Sequence, residues 1–158
     1  MNSEKQELVT LIAALHDIEQ SYADAGYEDQ AGIREDQVSA CQRVLVTLGG
    51  DRFAESYLPF LRQMNGFDLN GVRLFGYFDD KEDERDLRKQ SANLHAVPDL
   101  FPDAFKNGAV VGETDMDILF FNRETSVYES RDFIGVERVN ERYRTITGLL
   151  RALIALIE

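Results

Sequence analysis

The sequence has little of what stabilises or targets secreted and membrane proteins. Its 158 residues include one cysteine, Cys41, so no disulfide can form within the chain, and a single thiol fits a reducing compartment. No apolar run approaches the roughly 18 residues that a membrane-spanning helix requires. The first residues lack a basic segment followed by an apolar one, so we expect no secretory signal. These absences predict a cytoplasmic protein.

Residues that bind metals or act as nucleophiles are also scarce. His16 and His95 are the only histidines, and neither has a second histidine or a cysteine at the spacing of a metal site. Cys41 lies in the apolar stripe of a predicted helix, where a buried, unreactive thiol is the ordinary interpretation. A Cys–His pair brought together in space is the alternative. We therefore predict no metal, no cofactor and no enzymatic activity.

Negatively charged residues outnumber positively charged ones in the sequence. The chain has 29 acidic residues against 17 lysines and arginines, which gives a net charge of −12, and the excess is spread along the sequence. Such a surface repels nucleic acids and anionic membranes, so we expect neither as a partner. A basic protein would be attracted to it. Solubility alone also explains an acidic surface, and the charge leaves the oligomeric state open.

Apolar residues at helical spacing predict four helices and a fifth that is interrupted. The clear stripes are Leu8–Tyr22, ended by Gly26, then Val38–Leu48, Leu87–Leu94 and a C-terminal stripe, Tyr143–Ile157, that Asn140 would cap. Pro59 lacks a backbone donor and fits best in a first helical turn. We therefore expect the helix between Asp51 and Met64 to become continuous only near Leu58.

Short apolar segments in the second half of the chain predict strands. Asn70-Gly71 supplies the two positive φ angles of a type I′ turn and would join segments 67–69 and 72–75 into a hairpin. Further strands are expected at 109–111, 118–121 and 127–128, with the uniformly apolar 118–121 in the centre of the sheet. The sequence thus predicts a single α+β domain over residues 1–158. Its mostly antiparallel sheet of about four to six strands would carry the N- and C-terminal helices.

Two groups of acids are the candidate site residues. The first is the charged loop with Asp79, Asp80, Glu82, Asp83, Glu84 and Asp86. A calcium loop is excluded, because Lys81 and Glu84 stand where an oxygen ligand and a glycine are needed. A solvated loop and a loop that docks a partner are both open. The second group is Asp115 and Asp117, which could do acid–base chemistry as a pair or simply solvate a turn.

The segment from Tyr57 to Gly76 resembles the signature of the SUKH superfamily, which includes fungal cell-wall-synthesis regulators and bacterial and viral relatives. It carries Leu-Pro and Phe-Leu in a short helix, then Asn-Gly, then a hairpin that ends in glycine. The variant Phe-Asp-Leu-Asn-Gly at 67–71 is most similar to the YrhA-like branch. Residues 111–128 resemble the family's succession of glycine, aspartate, strand, turn and strand. The resemblance is clearest over residues 44–158.

The resemblance implies a compact α+β domain with no known active site. Many bacterial members are immunity proteins that bind and neutralise toxin domains, often nucleases. The family usually has tryptophan after the last strand; this chain has none, and Phe133 stands there.

We therefore expect an immunity-type protein that docks a basic toxin through the acidic loop together with Asp115 and Asp117. The first alternative is a regulatory or scaffold domain that binds an endogenous partner through an apolar patch. The second is a small hydrolase that uses Asp115 and Asp117.

Overall fold

The computed structural model of the protein describes residues 2–21, 31–95, 107–136 and 138–158. Its helices are α1 (Asn2–Ser21), α2 (Val38–Gly49), α3 (Asp51–Gln63), α4 (Leu87–His95) and α5 (Ile146–Ile157). Its strands are β1 (Phe67–Leu69), β2 (Val72–Leu74), β3 (Gly108–Glu113), β4 (Asp117–Asn122), β5 (Val127–Asp132) and β6 (Val139–Tyr143). A short 3₁₀ turn, Glu35–Gln37, precedes α2. Tyr22 and Gly26, expected at the end of the first helix, lie outside the described residues.

The strands form one antiparallel sheet in which each strand pairs with its neighbours along the chain, in the order β1-β2-β3-β4-β5-β6. Strand β4 pairs with both β3 and β5, and its residues 118–121 are all buried. The predictions of an α+β fold, an antiparallel sheet and a central apolar strand are confirmed. Strand β5 is longer than predicted, because the polar residues 129–131 continue it as buried members of the sheet.

The predicted hairpin joins β1 to β2. Asn70 has φ 51° and Gly71 has φ 81°, the two positive angles of a type I′ turn, and Leu69 faces Val72 across it. Phe67, Leu69, Val72 and Leu74 are buried, whereas the side chains between them are exposed. The alternation therefore places one face of the hairpin on the core.

The predicted interruption of α3 is wrong. The helix is continuous from Asp51, and Pro59 lies inside it. Proline removes the hydrogen bond to the carbonyl four residues earlier, that of Glu55. Both residues are exposed, so water can satisfy that carbonyl. The buried side chains of Phe53 and Tyr57 anchor the part of the helix that precedes the proline.

The predicted N-terminus of the last helix is also wrong. Asn140 and Tyr143 belong to β6, and α5 begins at Ile146. The cap is Thr145, whose hydroxyl accepts a hydrogen bond from the Gly148 N–H at 3.0 Å. Strand β6 lies at the edge of the sheet with its middle residues exposed, so it lacks the apolar alternation that would identify it as a strand.

Aromatic rings join the helical layer to the sheet. The Phe53 ring lies 5.1 Å from that of Tyr57 and 4.9 Å from that of Phe121, and Phe121 lies 5.0 Å from Tyr128. The Tyr57 hydroxyl donates to the Phe75 carbonyl at 2.6 Å. Helix α5 contacts β2 and β6, and α1 packs on α5 and α3. The core is therefore continuous from the sheet to both terminal helices.

Candidate functional site

The acidic loop, residues 79–86, connects β2 to α4 and is closed by backbone hydrogen bonds. The Gly76 N–H donates to the Arg85 carbonyl and the Leu87 N–H donates to the Gly76 carbonyl, both at 2.9 Å. Gly76 also pairs with Asp86 as an isolated parallel bridge. The two ends of the loop are thus held together at the end of β2.

Asp86 is a structural residue and is not available to a partner. Its side chain is fully buried and forms an ion pair with Arg88 at 2.9 Å. Its carboxylate also accepts the Phe78 N–H at 2.9 Å and the Arg88 N–H at 2.7 Å. The expectation that Asp86 belongs to a docking surface is corrected, because its oxygens are occupied by donors that shape the loop.

Three more acids of the loop are neutralised by basic side chains. Asp79 contacts Arg34 at 3.2 Å, Glu82 contacts Lys89 at 3.1 Å, and Asp83 contacts Arg85 at 2.7 Å. Hydrogen bonds from Gln37 and then Arg34 lower the pKa of Asp79, and a hydrogen bond from Arg85 lowers the pKa of Asp83. With Asp86, four of the six acids of the loop are in ion pairs.

Asp80 and Glu84 are the acids of the loop outside those ion pairs. Asp80 accepts the Glu82 N–H at 2.9 Å, and Glu84 receives the Gln90 side-chain amide at 2.6 Å on its backbone carbonyl. Both side chains are exposed. The loop therefore presents far less net negative charge than its sequence indicates.

Asp115 and Asp117 lie at the turn between β3 and β4, and they point in different directions. The Asp115 carboxylate lies against Gly71 in the β1–β2 turn, whereas Asp117 accepts the Asn140 side-chain amide of β6 at 2.8 Å. Burial, and then the nearby charge of Asp132, raises the pKa of Asp117, although the Asn140 hydrogen bond opposes this shift. Neither aspartate lines any of four prominent clefts between described residues. The geometry does not make them a catalytic dyad.

Three large apolar side chains are exposed beside this turn, and we call them the apolar tip: Met116, Phe133 and Ile134. Their exposed fractions are 71%, 42% and 98%. Met116 belongs to the β3–β4 turn and the other two to the β5–β6 loop. The Phe133 N–H donates to the Met116 carbonyl at 3.1 Å, which joins the two segments. The tip therefore combines side chains that are distant in sequence.

Hydrogen bonds within both segments fix the backbone beneath the apolar tip. The Thr114 hydroxyl accepts the N–H groups of Met116 and Asp117, at 3.2 Å and 3.0 Å. The Asp132 carboxylate accepts the Ile134 N–H at 2.8 Å, which forms an Asx turn. The buried Arg131 donates to the Val136 carbonyl at 3.0 Å. The loop is thereby tied back to the sheet.

Carboxylates surround the apolar tip, and we call Asp115, Asp117 and Asp132 the acidic rim. None of the three takes part in an ion pair of the described residues. In the β5–β6 loop, the Asp132 N–H donates to the Arg138 carbonyl at 3.4 Å. The tip thus pairs exposed apolar area with carboxylates that are not neutralised.

The two predicted acidic groups lie at opposite ends of β2. Asp115 lies beside Gly71, which immediately precedes the strand, and the acidic loop follows Gly76, two residues after the strand's last residue, Leu74. A fully extended segment from 71 to 76 would span about 16 Å. The apolar tip was not predicted from the sequence, apart from the comparison of Phe133 with the family's tryptophan. The adjacent Phe133-Ile134 between Asp132 and Gly135 was the signal that could have indicated it.

The described residues contain no cluster of three or more side chains that could hold a metal ion. Cys41 is buried, and this burial raises the pKa of its thiol to about 12, so it is not an activated nucleophile. None of the described helices combines the length and apolar character needed to cross a membrane. No protein-family model matches the sequence, and no curated protein or solved structure matches it either.

Proposed function

We propose that this chain is an immunity-type protein that binds and neutralises a basic toxin, a nuclease domain being the class that fits best. The observation that carries the proposal is the apolar tip with its acidic rim. An exposed cluster of large apolar side chains is a common mark of a protein-binding surface. Carboxylates around it that take part in no ion pair within the described part of the chain would attract lysines and arginines of a partner.

The chemistry of the surface favours a partner that is both basic and partly apolar. Phenylalanine and methionine are enriched in the centre of protein interfaces, where burial away from water gives most of the binding energy. A net charge of −12 raises the rate at which a basic protein approaches. A nuclease must be basic where it holds its substrate, so an acidic protein can cover that site. The proposal includes no catalytic step.

The resemblance of residues 44–158 to the SUKH superfamily supports the same function, and membership of that superfamily is part of the proposal. We also propose that the chain acts in the cytoplasm. Its single thiol would stay reduced there, and a nuclease toxin would meet its substrate there. Within the acidic loop, Asp80 and Glu84 are the acids best placed to add attraction to the same partner.

The test begins with recovery of the partner. The tagged protein is incubated with an extract of its source cell at low and high salt, and bound proteins are identified by mass spectrometry. We expect a basic protein that is released by salt. The activity of the purified partner should be inhibited by one equivalent of this chain. A recovered partner that retains full activity in the complex contradicts neutralisation.

Matched variants then locate the contact. Phe133→Ser with Ile134→Ser removes two anchors and should weaken binding about thirtyfold or more, as loss of interface hot spots does. Leu156→Ser, an exposed apolar side chain on α5, is the control and should bind as the wild type does. Asp80→Asn with Glu84→Gln tests the acidic loop. Loss of binding in that variant alone would assign docking to the loop.

A regulatory or scaffold protein is the second candidate, and the exposed Ile134 is the observation that favours it. An endogenous partner that docks mainly on the apolar tip would be held by burial of apolar area, which moderate salt does not weaken. A host protein retained at high salt and lost in the Phe133→Ser, Ile134→Ser variant would support this function over neutralisation of a toxin.

A further inference from the structure

A cleft lies on a part of the molecule that the proposed function does not use. It has a volume of about 550 Å³ and is lined by the start of α1, the outer face of α3, the β4–β5 turn and the start of α5. Volumes of roughly 300–1,000 Å³ are typical of sites for small molecules. Its floor is apolar, since Leu8, Phe121 and Ile146 line it and are buried.

Three basic side chains converge on this cleft. Lys5 comes from α1, Arg52 from α3 and Arg144 from the residue pair that precedes α5. All three are exposed, and none of them takes part in an ion pair of the described residues. By contrast, Arg34, Arg73 and Arg88 are each held by carboxylates. The lining thus carries three bases against two acids, Glu4 and Glu55, in a chain whose net charge is −12.

Polar groups of the cleft complete the features of a binding site. Glu4 and Glu55 also line it, but neither forms an ion pair with the three bases. Ser56 and Thr145 also line the cleft. The Ser56 hydroxyl is positioned by a 2.8 Å hydrogen bond with the Tyr128 hydroxyl. A ligand would therefore meet fixed polar groups above an apolar floor.

We infer that this cleft binds a small amphiphilic anion, in which one carboxylate, phosphate or sulfonate group is attached to an apolar body. The anionic group would pair with Arg52 and Arg144, because guanidinium groups bind such oxygens in a bidentate manner. Lys5 would add a third positive charge, and the apolar body would lie on Leu8, Phe121 and Ile146. This inference does not depend on the proposed function, since the cleft and the apolar tip share no residue.

The test uses three eight-carbon probes that differ only in their polar group: octanoate, octan-1-ol and octylammonium. Titration calorimetry should give saturable binding of octanoate in the millimolar range, with the other two at least about tenfold weaker. Octyl phosphate then shows which anionic group is preferred. Butanoate should bind more weakly than octanoate by roughly fourfold for each methylene that is buried. Equal binding of octylammonium and octanoate would overturn the inference.

Matched variants place the probe in the cleft. Arg52→Gln with Arg144→Gln should weaken octanoate binding about tenfold or more. Lys81→Gln with Arg142→Gln is the control: it removes the same charge from exposed residues outside the cleft and should leave binding unchanged. In wild-type protein, octanoate should shift the amide NMR signals of Ser56, Ser126 and Thr147. Equal weakening in both variants, or signal shifts confined to other regions, would overturn the inference.

Discussion

At the scale of single residues, the acidic loop shows that identical side chains take on different roles. Asp86 is buried and organises the loop, Asp79 and Asp83 are held by bases, and Asp80 remains exposed. The run of acids in the sequence does not distinguish them, because Arg34 and Arg88 come from outside the run. Ion pairing in the folded state therefore decides which of these charges a partner can reach.

Replacement of Asp86 should be the most destabilising change in the loop. Asp86→Ala leaves Arg88 without its partner and the Phe78 N–H without an acceptor. We expect a loss of about 3 kcal/mol in the free energy of unfolding, measured by urea denaturation. Asp80→Ala, the control on the exposed side of the loop, should change it by less than about 0.5 kcal/mol. Equal effects of the two substitutions would contradict the structural role of Asp86.

Asp117 and Asp79 should affect stability with opposite dependence on pH. The raised pKa of Asp117 means that its contribution to stability is present below the ordinary carboxyl pKa and is lost as the pH rises through the folded value. The lowered pKa of Asp79 means that its contribution is present above the ordinary value and is lost as the pH falls. As the pH is raised from about 3 to 7, the stability of Asp117→Asn relative to wild type should therefore increase. The stability of Asp79→Asn relative to wild type should decrease over the same range.

Urea denaturation of both variants and the wild type over this pH range checks the prediction. Each variant serves as the control for the other, since both replace one aspartate by asparagine. Parallel curves for the two variants would contradict the assignment of opposite pKa shifts.

At the scale of elements, the sequence predicted the helices with apolar stripes and the Asn70-Gly71 hairpin, because burial and turn geometry leave a local signal. It failed where an element lacks that signal. Strand β6 lies at the edge of the sheet and exposes its middle residues. Strand β5 buries Glu129 and Arg131 as an ion pair at 2.8 Å, so its polar residues gave no indication of burial. Both elements are specified by pairing with neighbours and not by their own pattern.

The corrected start of α5 makes a simple prediction. Thr145→Ala removes the hydroxyl that accepts the Gly148 N–H and should lower the free energy of unfolding by about 1 kcal/mol. Asn140→Ala tests the capping role that the sequence suggested. Because Asn140 lies in β6, Asn140→Ala should reduce the helical circular dichroism signal and the thermal stability of the protein less than Thr145→Ala does. A larger effect at Asn140 would restore the sequence-based boundary.

The buried pair in β5 supports the loop that carries Phe133 and Ile134. Arg131→Leu leaves Glu129 buried without its partner, and we expect a loss of about 3 kcal/mol in the free energy of unfolding. The double change Glu129→Leu with Arg131→Leu should recover part of this loss, because it leaves no unpaired charge. Urea denaturation of the two single variants and the double variant measures the coupling. Additive losses would show that the two side chains do not depend on each other.

At the scale of the whole molecule, only part of the candidate site could be predicted. Asp115 and Asp117 were identified as a pair of acids close together in the sequence, and in the structure both lie beside the apolar tip. The tip itself required two segments, residues 114–117 and 132–135, to meet at one end of the sheet. No local pattern encodes such a meeting. The acidic loop was identified but its charge was overestimated, because folding brings bases to it.

The reactivity of the Cys41 thiol can report whether the core opens only when the whole molecule unfolds. The Cys41 side chain, which α2 carries, is fully buried, and burial raises the pKa of its thiol to about 12. The thiol should therefore react with a disulfide reagent near pH 8 only when the core opens. The reaction should be slow in native protein and fast in denaturant, with a rate that follows the urea dependence of unfolding. Rapid reaction of the native protein would contradict this burial.

The order of the strands has a consequence for synthesis on the ribosome. Since each strand from β2 to β6 pairs with the one before it along the chain, its partner has already been synthesised when it emerges. The unfinished edge is therefore open only briefly to other nascent chains. The sheet finishes with β6, whose exposed Asn140, Glu141 and Arg142 discourage further pairing at that edge. A chain built in this way should emerge with little need of a chaperone.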